Sequence, residues 1–84
     1  MDFGLEAIVY PNPSSDAFSL VVSSQAEESC LLMVTDMTGR TIQRIDNIVP
    51  GESISFGSTL ASGVYLVEVR QGEERFVLRV VKNE

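Results

Sequence analysis

Gly63-Val64-Tyr65-Leu66-Val67-Glu68-Val69-Arg70, then Gln71-Gly72-Glu73, then Glu74-Arg75-Phe76-Val77-Leu78-Arg79-Val80-Val81: this run decides the fold. Tyr65, Val67 and Val69 recur at every second position, and so do Phe76, Leu78 and Val80. A period of two belongs to a strand with one buried face, not to a helix. Gly72 supplies turn chemistry between the two halves, so residues 63–70 and 74–81 are predicted to pair as an antiparallel hairpin. They are also the longest and most apolar strand candidates in the chain.

Upstream the same grammar repeats, a short apolar run and then a turn signal about every ten residues, as in a sandwich or barrel. Residues 5–10 form the first predicted strand, stopped by Pro11-Asn12-Pro13-Ser14-Ser15. Residues 17–23 follow, with Phe18, Leu20 and Val22 on one face and Ser19 and Ser23 on the other. Residues 29–35 are apolar on both faces, which predicts a central strand. Asp36-Met37-Thr38-Gly39 turns the chain into residues 40–45, where the alternation breaks between Ile42 and Ile45 and predicts a bulge or an edge. Residues 52–56 make a short strand with Ile54 and Phe56 inward. Residues 25–28 and 57–62 read as loops. About seven strands in one two-layer antiparallel domain account for the whole chain.

Length and composition agree. A chain of 84 residues is one small domain, burying about 60–65% of its unfolded surface. With 44% hydrophobic and 21% charged residues it is globular in composition. No apolar run reaches the ~18–20 residues that span a bilayer as a helix. The formal net charge of −6 sets the molecule against phosphate backbones and anionic headgroups. Neither nucleic-acid binding nor membrane insertion is expected. Arg70, Arg75, Arg79 and Lys82 nevertheless all fall near the C-terminal end and give it a local positive bias. Met1 leads directly into Asp2-Phe3-Gly4-Leu5-Glu6, with no apolar leader and no small-residue cleavage site. Such a start fits either a cytoplasmic protein or a fragment of a longer one.

The side-chain inventory excludes most chemistry. There is no histidine, hence no common general base and no His-dependent triad or zinc site. The lone Cys30 can form no intrachain disulfide, and inside Cys30-Leu31-Leu32-Met33-Val34 it reads as a small hydrophobe. Glu27-Glu28 and Glu73-Glu74 are adjacent pairs, which a strand sends to opposite faces. Calcium is the one metal that loop carboxylates such as Asp36 and Asp46 could take without strict spacing. No cofactor is expected, and no catalytic site.

Three local patterns remain, and each alone is an ordinary structural device. In Tyr10-Pro11-Asn12-Pro13 the prolines fix φ and stiffen the link between the first two strands. Asp36, Gly39 and Arg40 frame a hairpin turn. Gly63, Val64 and Tyr65 open a strand whose tyrosine ring is core and whose hydroxyl needs a partner.

In this order, and followed by the basic, valine-rich Arg79-Val80-Val81-Lys82, the set resembles the type A C-terminal sorting domain of type IX (Por) secretion substrates of Bacteroidetes. The resemblance covers residues 7–84, with Leu60-Ala61 preceding the Gly-Val-Tyr strand. It departs at Asn83-Glu84, where a lysine-rich end is common. It implies an immunoglobulin-like antiparallel β-sandwich, with residues 1–84 a single domain cut from the C-terminus of a larger secreted protein and residues 1–6 left over from a linker. It also implies recognition by the outer-membrane translocon and removal by a surface sortase that anchors the N-terminal cargo. The cargo would pass through the periplasm to the cell surface or medium. The domain would be the substrate of that reaction, with its motif residues, above all 63–65 and 76–82, as candidate contacts. The rival reading is an accessory immunoglobulin-like binding module of a secreted hydrolase, or a plain spacer. With no Trp and few aromatic residues, the chain lacks the usual exposed platform of a sugar-binding module.

Overall fold

The computed structural model describes residues 4–83, and these form seven strands with no helix. They are β1 (Glu6–Tyr10), β2 (Phe18–Ser23), β3 (Cys30–Asp36), β4 (Thr41–Ile48), β5 (Ser53–Phe56), β6 (Gly63–Gln71) and β7 (Glu74–Lys82). Two antiparallel sheets result, one ordered β1-β2-β5 and the other β4-β3-β6-β7. The two-layer antiparallel sandwich expected from the alternation is observed, and it agrees with the immunoglobulin-like sandwich that the resemblance implies.

Alternation explains which face each strand buries. Phe18, Leu20 and Val22 of β2 meet Leu32 and Val34 of β3 and Val67, Val69 of β6 in one core, with Val80 of β7. The Phe18 and Phe56 rings stack at 5.3 Å between centroids, joining β2 to β5 across their register pair. Rings this close add attraction beyond the area they bury. Cys30 is buried in the same core, where burial first and the nearby Glu28 second push its thiol up in pKa. That is the inert, hydrophobe-like cysteine expected from its neighbours.

The strand predicted over 40–45 runs on to Ile48. Its broken alternation has two causes, since β4 is both an edge and bulged. Between Val34 and Thr35 of β3 the partner advances from Gln43 to Thr41, and between Cys30 and Leu32 it advances from Ile48 to Ile45. Each step places one extra residue on β4, which shifts its side chains from face to face. Asn47, in the second of these, has a positive φ of 60°. Asparagine tolerates that conformation better than most residues.

Of residues 1–6, expected as linker, 1–3 lie outside the described residues, as does Glu84. Leu5 is buried in the core and Glu6 opens β1, so these two residues belong to the folded domain and not to a linker. The 25–28 loop is held from beneath by buried Gln71, whose Nε2 donates to Ala26 O (3.1 Å) and Glu28 O (2.8 Å).

Candidate recognition site

The motif segments are far apart in sequence, yet register brings them to one end of the sandwich. Asp36 pairs with Tyr65, Tyr65 with Val80, and Gly63 with Lys82. At the same end β1 finishes in Tyr10 and β5 in Phe56, the partner of Phe18. The segment 10–14 crosses this pole and docks on β7.

The docking is specific. β7 is the outer strand of its sheet, so every second residue turns its N–H and C=O away from β6 and toward open edge. The Asn12 amide fills that edge as a strand would. Its Nδ2 donates to Arg79 O (3.0 Å), and its Oδ1 accepts from Val81 N (2.9 Å). One residue past Pro13 the backbone takes over. Ser14 N donates to Val81 O (3.0 Å) and Asn83 N donates to Ser14 O (2.8 Å), a parallel bridge opposite Lys82. The buried Ser14 hydroxyl donates to Ala17 O and accepts from Asp16 N, fixing the turn into β2. The Tyr10–Pro11 and Asn12–Pro13 peptide bonds are both cis.

The turn at 36–40 is organised by one carboxylate. Asp36 Oδ1 accepts from Thr38 Oγ1 (2.6 Å), Thr38 N (2.9 Å) and Arg40 N (3.0 Å). Gly39 takes φ +93°, a conformation side chains rarely adopt. The Thr38 hydroxyl first, and the Arg40 amide next, hold the Asp36 carboxyl below its ordinary pKa. A carboxyl whose pKa is lowered by folding stabilises the native state above the ordinary carboxylate range and loses that contribution as pH falls through its folded value. Asp36→Asn is therefore expected to lower Tm at about pH 7 and to converge with the parent in acid. A Tm difference that stays constant across a pH series would contradict the role of the charge. Among the described residues no three of His, Cys, Asp and Glu gather as metal ligands.

Tyr65 is buried, and its hydroxyl donates to Ala61 O at 2.6 Å. Lys82 is also buried. Its Nζ donates to Gly57 O (2.7 Å) and Ser58 O (3.2 Å), so the last strand is tied to the loop after β5. Of the basic valine-rich run, Val80 and Lys82 thus point inward and Val81 is half-buried, leaving Arg79 as the exposed member. Tyr10, Pro11, Asn12, Pro13, Gly39 and Arg40 are exposed too, while Val64 and Asp36 are half-buried. The sequence pattern did not single out Ser14 or Gly57, whose roles depend on partners more than twenty residues away. Parity was the available signal for Lys82, since it shares a face with Phe76, Leu78 and Val80.

A family model described as the secretion system C-terminal sorting domain matches residues 8–83. Comparison with curated proteins gives no match.

Proposed function

This chain belongs to the C-terminal sorting domains of the type IX secretion system, and on that premise we propose that it is a folded export address carried behind an N-terminal cargo. The outer-membrane translocation machinery reads it after transit through the periplasm. A surface sortase then removes it and anchors the cargo. The domain contributes shape and surface to these steps, and no catalytic group.

The observation that carries this reading is the convergence of all four motif segments at one pole, around the end of the last strand. The motif divides there into two kinds of residue. Asp36, Tyr65, Val80 and Lys82 hold the shape from inside. Tyr10, Pro11, Asn12, Pro13, Gly39, Arg40 and Arg79 lie where a receptor reaches them, with Val64 and Val81 at their margin. An address that must be presented folded needs both.

Position separates an address from a binding module or spacer. Fused behind a signal-peptide-bearing reporter, residues 1–84 are expected to direct export in a strain with a type IX system. Placed between the signal peptide and the reporter, the same folded residues are expected to leave it in the periplasm. Equal export from both placements would contradict an address read at the C-terminal end.

A further inference from the structure

The outer face of the four-stranded sheet carries a charge distribution unlike the rest of the molecule. Register places Val64, Leu66, Glu68 and Arg70 of β6 beside Val81, Arg79, Val77 and Arg75 of β7, all turned away from the core. Arg44 of β4 lies opposite Met33 on the same face. Four of the six basic residues of the chain thus share one face, and among the described residues Asp46 and Glu68 are the acidic side chains beside them. The outer face of the three-stranded sheet carries Glu6 as its one charge among the strand positions, beside Ile8, Ser19 and Ser53.

The charges on the basic face are incompletely neutralised. Glu68 Oε2 serves both Arg70 and Arg75, which stand opposite each other, and Asp46 serves Arg44. Arg79 makes no ion pair among the described residues; only its backbone carbonyl is engaged, by Asn12. Beside these charges Leu66 is 39% and Val77 47% exposed. They are diagonal neighbours across β6 and β7, with half-buried Met33 near them. A hollow between Arg44 and Arg70, floored by Leu31, lies on the same face.

From this we infer that the outer face of the β4-β3-β6-β7 sheet docks an acidic protein surface bearing a small apolar ridge, with Arg75 and Arg79 meeting its carboxylates and Leu66 and Val77 its apolar side chains. The inference rests on the export-address reading and names the chemistry of the receptor. Charge complementarity is effective over about 8 Å at physiological salt. The molecule measures 17 Å through its shortest axis, so acidic groups across the sandwich are screened from a partner at this face. An extended polyanion is a poor occupant, because a net charge of −6 repels it around the rest of the molecule. Exposed aliphatic side chains between the arginines also favour a protein surface over phosphate. Four strands about 4.8 Å apart and residues about 3.3 Å along each give a face of roughly 500 Å². This is below the ~800 Å² per partner of a stable complex, as suits a contact made and released during transit.

The test compares reporter fusions of the parent domain, Arg75→Glu with Arg79→Glu, and a control with Ser19→Glu and Ser55→Glu on the other outer face. Both pairs are exposed or half-exposed strand positions, and folding of each variant is checked by its thermal transition. With transitions like the parent's, the arginine variant is expected to lose about tenfold or more in export while the serine variant keeps it. Parental export by the arginine variant, or equal loss in both variants, would overturn the docking face and leave the address reading standing. Failure of the parent fusion itself would sink the address reading instead. Purified domain is also mixed with anionic phospholipid vesicles. Binding that disappears with the two arginine changes would assign the face to lipid and overturn the protein assignment.

Discussion

Replacing Lys82 with alanine is expected to destabilise the domain by about 2–4 kcal/mol, the loss of a buried stem together with its two hydrogen bonds. For a domain this size that lowers Tm by roughly 10–20 °C. Among the described residues the Lys82 ammonium has no carboxylate within ion-pair distance and is held by Gly57 O and Ser58 O. Its removal opens a void beside those acceptors, of which Gly57 O keeps the hydrogen bond from Leu60 N (3.2 Å), and it removes one of the ties between β7 and the loop after β5. Lys82→Met keeps the apolar stem and loses only the donors, for an expected cost of about 1–2 kcal/mol. Urea denaturation of the three proteins measures the difference. Alanine and methionine variants both within about 0.5 kcal/mol of the parent would contradict the anchoring role.

Gly57→Ala is the second large effect, with an expected cost of about 2–4 kcal/mol. Gly57 has φ +81°, and a Cβ built there would lie 3.0 Å from Phe18 Cδ2 and 3.1 Å from Leu60 Cδ1. Phe18 is fully buried and stacked on Phe56, so its ring has little room to retreat. The strain falls on the residue whose carbonyl receives Lys82. Because the two sites share that hydrogen bond, the double variant Gly57→Ala with Lys82→Ala should cost less than the sum of the single changes, by about 1 kcal/mol. Strict additivity in denaturant titrations would show that the carbonyl and the ammonium act independently. Either change should also reduce export by lowering the folded fraction, an effect that the arginine changes on the sheet face avoid.

These two residues also mark where reading the sequence stops. Strands β6 and β7 were legible because side-chain parity is a local property, and Gly72 marks their turn without reference to anything distant. The break between Ile42 and Ile45 was legible as an irregularity. That β4 is at once an edge and twice bulged emerges only from its pairing with β3. Lys82 counted toward a C-terminal positive bias. Its parity with Val80 turns it inward, but the carbonyls that receive it come from a loop twenty-odd residues upstream. Asn12 was legible as part of a motif, but its role on β7 was not, for the same reason. The prolines around it predict a stiff link, whereas its amide completes the edge of a strand 67 to 69 residues later. The arginines followed local parity, and their gathering on one face required knowing that β4, β3, β6 and β7 lie side by side. Local alternation therefore carried the fold class, and non-local pairing carried the arrangement of the candidate site.

The most direct measurement attaches residues 1–84 to a fluorescent reporter bearing a signal peptide, in Bacteroidetes strains with and without a working type IX system. Delivery of the reporter to the cell surface or medium only where the system works is the result expected of an export address. Retention in the periplasm of both strains, with the domain shown to be folded there, would contradict it.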